Sequence, residues 1–271
     1  MRALGALLLI MATAASADPL VFHNGRLFVQ VRINGTPTEA LLDSAAEASI
    51  VDPKLAAAAK LPEGQAVDIR GSGGEAKARF VEGVTLELLG QKVPNDAVVV
   101  SDLAELSSRL LKRPTQMIIG REAFDAMRLA IDIQGGTVAI ATGEPAGTKL
   151  PLTEHAGVEA MPVMVGTTQA QAEFDVGNGS DVMVSRAFAT KAGLKITGKK
   201  PGGGIGGQLM RDTTVIPALT LAGVTYRNVP ASIDDQSSAN DLNIGTSILK
   251  DFLIVADFKQ RAVWLAPRAK K

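Results

Sequence analysis

The chain has 271 residues, enough for one large domain or two medium ones with an ample apolar core. Lysine plus arginine and aspartate plus glutamate number 28 each, so the charge balance gives no footprint for binding nucleic acid. The absence of cysteine excludes disulfides, a thiol nucleophile and cysteine-ligated metal. The two histidines, His23 and His155, have no other plausible ligand or nucleophile near them in the sequence, which argues against a Ser-His-Asp triad or a histidine-rich zinc site.

Residues 1–17 have the pattern of a secretory signal peptide. Met1-Arg2 is a short positive segment, Ala3 to Ala12 is apolar, and Ala15-Ser16-Ala17 is a small-residue cleavage site. No later run reaches the roughly 18 apolar residues that a membrane span needs. The sequence therefore predicts an exported protein, periplasmic or extracellular, that begins near Asp18 and has no membrane attachment after signal removal.

The next element is a strand, a turn and a second strand that ends at a carboxylate. Apolar residues alternate from Leu27 to Ile33, which is typical of a half-buried strand, and Asn34-Gly35 is a strong hairpin signal. An apolar strand follows and ends at Asp43. For one such aspartate, a role in capping a turn is as good an interpretation as a functional role.

The same pattern returns in the second half of the chain. Met161 to Val165 is an apolar strand, a turn follows, and a second strand ends at Asp175. Because two aspartates occupy equivalent places in two copies, the pair becomes the candidate site.

Other elements repeat in the same order. Asp52-Pro53 is a helix start, and the second copy has Arg186 to Ala192 with Gly193 as a helix stop. Each copy then has a glycine cluster that lets a hairpin bend or move. The candidate flap glycines are Gly71, Gly73 and Gly74 in the first copy and Gly204, Gly206 and Gly207 in the second. The second cluster also contains a bare G-x-G-x-x-G, but Gln208 to Ile216 reads as a strand rather than a helix, which excludes a dinucleotide site.

The repeat defines the predicted domains. Residues 1–17 are the signal peptide, 18–147 the N-terminal lobe and 148–271 the C-terminal lobe, with a linker composition from Thr142 to Lys149. Ser101 to Leu111 predicts a short helix that the second half replaces with a polar loop from Asp234 to Asn240. Strands dominate each copy. We therefore predict an all-β fold with a few short helices, two-lobed by internal duplication.

Together these residues resemble the retropepsin/pepsin-like aspartic peptidases over nearly all of the mature chain. In that family the apolar strand is followed by Asp-Thr/Ser-Gly, and here it is followed by Asp43-Ser44-Ala45 and Asp175-Val176-Gly177. The apolar-apolar-Gly element of the family corresponds to Ile118-Ile119-Gly120 and, less closely, to Asn243-Ile244-Gly245.

The resemblance implies a two-lobed pepsin-like acid-protease fold in which Asp43 and Asp175 meet between the lobes as catalytic residues. They would activate a water molecule that attacks a peptide bond, with no metal or organic cofactor. The glycine hairpins would lie at or near the cleft. The partner would be a peptide or protein substrate, and one chain would supply both halves of the site as a monomer.

Two active-site turn residues depart from the family pattern. Ala45 replaces the glycine whose peptide N–H approaches the aspartate, and Val176 replaces the Thr/Ser whose hydroxyl braces the two turns, whereas Ser44 and Gly177 keep the pattern. These departures leave two alternatives open. One is a catalytically impaired pseudo-peptidase that binds extended peptides by strand addition, and the other is a purely structural exported β protein.

Overall fold

The computed structural model describes residues 17–94, 97–236 and 240–269. The predicted signal peptide lies outside these ranges apart from Ala17, and so do residues 237–239 of the predicted polar loop. Within the described residues, no helix is long and apolar enough to cross a membrane.

The first half of the chain contains strands interrupted by short helical segments. They are β1 (Asp18–Pro19), β2 (Val21–His23), β3 (Arg26–Ile33), β4 (Thr36–Leu42), β5 (Ile50–Val51), α1 (Pro53–Ala58), β6 (Gln65–Gly71), β7 (Gly74–Glu82), β8 (Leu86–Leu88), β9 (Gln91–Val93), β10 (Ala97–Val100), α2 (Ala104–Leu106), a π-helical turn (Ser107–Leu111), β11 (Met117–Ile119), α3 (Glu122–Ala126), β12 (Leu129–Asp132) and β13 (Thr137–Ile140).

The second half repeats much of this order. Its elements are β14 (Thr148–Pro151), β15 (Thr153–His155), β16 (Val158–Val165), β17 (Thr168–Phe174), β18 (Val182–Ser185), α4 (Arg186–Lys191), β19 (Gly198–Gly202), β20 (Leu209–Leu221), β21 (Val224–Asp234), β22 (Leu242–Ile244), α5 (Thr246–Leu249), β23 (Phe252–Asp257) and β24 (Ala262–Pro267). Strands dominate both halves, so the predicted fold class is confirmed.

Each half forms its own sheet from the predicted hairpins. The N-terminal sheet has the order β6-β7-β10-β5-β11-β4-β3-β8-β9, with β2 also on β3. The C-terminal sheet has the order β15-β16-β17-β22-β18-β21-β20-β19. The turn of the β3–β4 hairpin is at Asn34 and Gly35, both with positive φ, as a two-residue hairpin turn requires.

A third sheet joins the two halves. Its order is β1-β13-β12-β23-β24-β14, and its centre is the antiparallel pairing of β12 with β23, where Ala130 is opposite Val255. Above it, Phe124, Phe174 and Phe258 pack together, with 5.0 Å between the ring centroids of Phe124 and Phe258. Since these rings come from both halves, the apolar core is continuous from one lobe to the other.

Two short helices begin as the sequence predicts. The Asp52 side chain accepts a hydrogen bond from the Lys54 N–H, and Pro53 is the first helical residue of α1. Ser185 caps α4 in the same way through the N–H of Phe188. The segment predicted as one helix from Ser101 to Leu111 is instead a single α-turn followed by the π-helical turn.

Candidate active site

The Asp43 turn lies directly after β4. The Asp43 N–H donates to the carbonyl of Ile119 (3.0 Å), which continues the pairing of β4 with β11. Its Oδ1 accepts the N–H groups of Ala45 (3.0 Å) and Ala46 (3.1 Å). Ala45 therefore still presents the peptide N–H that the family glycine supplies. The two N–H groups fix the carboxylate and favour its ionised form.

The Asp175 turn repeats this geometry after β17. The Asp175 N–H donates to the carbonyl of Ile244 (3.1 Å), and its Oδ1 accepts the N–H groups of Gly177 (2.8 Å) and Asn178 (2.9 Å). Because both turns have the same hydrogen bonds, they are equivalent positions in the two halves.

One hydroxyl joins the two turns. Ser44 Oγ donates to the carbonyl of Phe174 (2.6 Å) and accepts the N–H of Val176 (3.0 Å). Ser44 is 1% exposed and Val176 is 0% exposed. The Val176 side chain has no hydroxyl, so it cannot return the same pair of hydrogen bonds to the Ser44 turn. The side-chain brace between the lobes is therefore one-sided.

The two carboxylates lie next to each other. A methyl group on Gly177 would overlap the Asp43 carboxylate, so only glycine allows this approach. Burial raises the pKa of Asp43, and hydrogen bonds from Ala45 and Ala46, the charge of Arg26 and a hydrogen bond with Asp175 offset part of that rise. Burial and the neighbouring Asp43 charge raise the pKa of Asp175 to about 8. At neutral pH the pair can therefore hold one proton, mainly on Asp175.

Two further residues shape the surroundings of Asp175, and sequence analysis missed their role. The Asn243 side-chain amide donates to Asp175 Oδ2 (2.7 Å) and to Glu173 Oε2 (2.8 Å). Its own oxygen accepts from Asn178 Nδ2 (2.7 Å). The amide hydrogen bond lowers the pKa of Asp175, whereas the Glu173 charge raises it. The signal in the sequence was Asn243 itself, which interrupts an otherwise apolar element.

Arg26 was also missed. It begins β3, is 5% exposed, and donates to the carbonyl of Asn24 (3.0 Å) and the hydroxyl of Ser180 (3.4 Å). Burial lowers the pKa of this guanidinium, while the charges of Asp175 and Asp43 raise it. A buried cation beside the pair favours its singly ionised form. The sequence signal was a charged residue directly before the alternating apolar segment from Leu27 to Ile33.

The two glycine hairpins meet over the aspartates. The Gly73 N–H donates to the carbonyl of Ile205 (2.9 Å), and Arg211 Nη2 donates to the carbonyl of Ser72 (2.8 Å). From the π-helical turn, Arg109 Nη2 donates to the carbonyls of Gly204 (3.0 Å) and Gly207 (3.2 Å). Both hairpins therefore cover the site.

The six flap candidates all belong to this junction. Added side-chain carbons on Gly71, Gly73 and Gly206 would overlap the backbone of the opposite hairpin. Gly74, Gly206 and Gly207 have positive φ values that favour glycine. The close approach of the two tips thus depends on the glycines: Gly71, Gly73, Gly74, Gly204, Gly206 and Gly207.

The space under the hairpins is a cleft of about 870 Å³ that contains both aspartates. Its walls come from both halves of the chain and include the turns, the hairpins and His155. Among residues 17–94, 97–236 and 240–269, no group of three or more His, Cys, Asp or Glu side chains is placed to hold a metal ion.

Comparison with known proteins agrees with this geometry. No curated protein matches the chain. A family model described as aspartyl protease matches residues 29–123 and 161–248. Each matched segment contains one of the two aspartates, and together the segments cover more than half of the sequence. The chain therefore belongs to the aspartyl protease family.

Proposed function

We propose that this protein is a single-chain aspartic peptidase of the retropepsin/pepsin-like type, with Asp43 and Asp175 as its catalytic residues. The observation that supports this most strongly is the adjacent pair of carboxylates, a half-buried Asp43 and a buried Asp175, each fixed by two backbone N–H groups. Family membership supports the same reaction class. Because one chain supplies both turns, we propose that a monomer is active.

In the proposed mechanism, Asp43 is the ionised partner and Asp175 the protonated one. Burial and the charges of Asp43 and Glu173 raise the pKa of Asp175 to about 8, which favours its protonated form. Asp43 takes a proton from a water molecule that attacks the peptide carbonyl, while Asp175 donates a hydrogen bond to the carbonyl oxygen. Proton transfer from the pair to the leaving nitrogen then completes hydrolysis.

Substrate entry requires the hairpins to separate. Their tips are joined by a few hydrogen bonds between glycine-rich backbones, and such segments open at low cost. An extended peptide can then pair with the hairpin strands by strand addition. Closure over the peptide would exclude water from the scissile bond, apart from the attacking molecule.

One observation favours a second candidate, a pseudo-peptidase that binds peptides without cutting them. The brace between the lobes lacks the hydroxyl at Val176, so the turns are held from one side only. A looser pair of turns costs turnover because catalysis depends on fixed geometry.

The test is a digest of a mixed peptide library by the mature chain from pH 4 to 8, read by mass spectrometry. We expect cleavage by the unmutated chain and loss of cleavage in Asp43→Asn and in Asp175→Asn. A matched control is Asp125→Asn on α3, whose carboxylate contacts Arg121. Cleavage that persists in both site variants would contradict the proposal. Saturable peptide binding without cleavage would favour the pseudo-peptidase.

We also propose that the protein is exported and processed before Asp18. The support is the sequence pattern of residues 1–17. Intact-mass measurement of the protein from the periplasm or medium should give the mass of a chain that begins at Asp18. A soluble product that retains Met1 to Ala17 would contradict this.

A further inference from the structure

Some equivalent strand positions in the two halves of the cleft have the same backbone pairing and different polarity. In the N-terminal half, the parallel pairing of β4 with β11 places Leu41 opposite Ile118. In the C-terminal half, the equivalent pairing of β17 with β22 places Glu173 opposite Asn243. All four residues line the cleft, and Leu41 and Glu173 each lie two residues before one of the aspartates. The same place in the fold is thus apolar on one side and polar on the other.

A second equivalent pair of positions changes polarity in one member only, from valine to serine. Ile50 is opposite Val99 where β5 pairs with β10, and the equivalent pairing of β18 with β21 places Met183 opposite Ser232.

In the hairpins, Val67 is opposite Ala78 on β6 and β7. The matching residues of β19 and β20 are Lys200 and Arg211. This pair of positions in the hairpins shows the same difference, whereas Asp68 and Arg70 of the first hairpin are charged and line the cleft.

The N-terminal half forms a separate apolar cluster. Its buried members are Phe28, Leu41, Ile50, Ala78, Val99, Leu103, Leu106, Leu111 and Ile118. Ile205, from the tip of the opposite hairpin, packs against this cluster and closes it from above. The members that line the cleft favour an apolar substrate side chain, because that side chain loses its own contact with water when it packs against them: Leu41, Ile50, Val99, Leu106, Leu111 and Ile118.

In the C-terminal half, most charges are already neutralised. Lys200 forms an ion pair with Asp181, and Arg211 Nη1 lies 2.8 Å from Asp234 Oδ1. Glu173 differs from these carboxylates. Its hydrogen bonds come from the neutral amides of Asn240 (3.2 Å) and Asn243 (2.8 Å), and within the described part of the chain no Lys or Arg forms an ion pair with it. Glu173 thus leaves one unneutralised negative charge on this wall.

We propose that the cleft selects substrates that differ on the two sides of the cleaved bond, with an apolar side chain in the N-terminal half and a basic side chain against Glu173 in the C-terminal half. This inference rests on the proposed peptidase function and names its substrate class. A lysine or arginine would supply the cation that Glu173 lacks, and a hydrogen bond between two ionised groups is stronger than the bonds that this carboxylate accepts from neutral amides.

The test uses matched peptides with leucine on one side of the scissile bond. The other side carries lysine, its uncharged analogue norleucine, or glutamate. Each peptide is made in two arrangements, with leucine on the N-terminal or on the C-terminal side of the scissile bond. In one of the two arrangements, we expect kcat/KM for the lysine peptide to exceed that for the norleucine peptide at least about tenfold, which equals about 1.4 kcal/mol. The glutamate peptide should be the poorest substrate.

Variants of Glu173 show whether this residue is the cause. Glu173→Leu introduces the residue found at the equivalent position 41. This variant should prefer the norleucine peptide over the lysine peptide. Glu173→Gln keeps the shape and should abolish the lysine preference. The ratio between peptides is taken within each variant, so a general change in activity cancels. Glu82→Leu removes an exposed carboxylate of β7 that is not part of the cleft wall and should keep the lysine preference.

Failure of this inference is distinct from failure of the proposed function. The inference would be overturned by equal cleavage of the lysine and norleucine peptides, or by a lysine preference that survives in Glu173→Gln. Neither result would contradict the proposed peptidase function. If no peptide is cut, the dissociation constants of the same peptides, measured by fluorescence anisotropy, replace kcat/KM. The same order of affinities is then expected, and equal affinities would overturn the inference.

Discussion

Replacing Ser44 with alanine removes the one hydroxyl that joins the two aspartate turns. The hydroxyl donates to the Phe174 carbonyl and accepts the Val176 N–H, and all three residues are buried. Without it, one donor and one acceptor are left unpaired. Each unpaired buried group costs about 1–3 kcal/mol, so Ser44→Ala should lower the free energy of unfolding by about 2–6 kcal/mol if both groups stay dry.

Urea unfolding of the mature chain, followed by circular dichroism, measures this loss. Ser108→Ala is the matched control because the Ser108 hydroxyl bonds to the Glu105 carbonyl on the exposed surface of the helical segment. The control should change the free energy of unfolding by less than about 0.5 kcal/mol. A loss below about 1 kcal/mol in Ser44→Ala, with unchanged peptide hydrolysis, would refute the one-sided brace.

The remaining predictions concern the second turn, the protonation of the pair and the hairpins. Val176→Thr should raise the free energy of unfolding by about 0.5–1.5 kcal/mol if the new hydroxyl reaches the Ser44 turn. A lower free energy of unfolding, measured in urea, would mean that the hydroxyl is buried without a partner. Because hydrolysis needs one protonated carboxyl, kcat/KM should fall as the pH rises through the Asp175 pKa of about 8. Asn243→Ile removes a hydrogen bond to ionised Asp175 and should move this fall in kcat/KM to higher pH. Glu173→Leu removes a neighbouring negative charge and should move the fall to lower pH. Shifts of the same sign would contradict these roles of Asn243 and Glu173. Arg109→Ala should lower amide hydrogen-exchange protection of residues 203–207 about tenfold, while Arg128→Ala, which removes a bond to the carbonyl of Gly143, should not.

The sequence was sufficient to predict the all-β fold and the two equivalent aspartate turns because both depend on local patterns, whereas the meeting of the two turns was implied by the family resemblance. Alternation from Leu27 to Ile33 and the Asn34-Gly35 turn specify a hairpin without any tertiary contact. The return of the same pattern before Asp175 then indicates a duplication, and the structure brings the two aspartates together.

Features that depend on contacts between the halves could not be predicted. The meeting of Gly73 with Ile205 depends on how far the two hairpins reach across the cleft, which no local pattern encodes. The approach of Arg26 to the aspartates likewise depends on the packing of β3 beneath both turns.

Opposite polarity in the two halves was partly visible in the sequence. Asn243 stood out from the apolar pattern of its copy, but only the strand register shows that it faces Glu173 where Ile118 faces Leu41. Comparing equivalent positions in the two copies therefore becomes informative once the pairing of the strands is known.

The central claim is that Asp43 and Asp175 form one coupled site, and carbon-13 NMR titration of the aspartate carboxyl carbons tests it most directly. In the unmutated chain, Asp175 should titrate near pH 8. In Asp43→Asn the neighbouring charge is gone, so the pKa of Asp175 should fall, although burial keeps it above its usual value. Titration of Asp175 near pH 4 in the unmutated chain, or no shift in Asp43→Asn, would contradict a shared site.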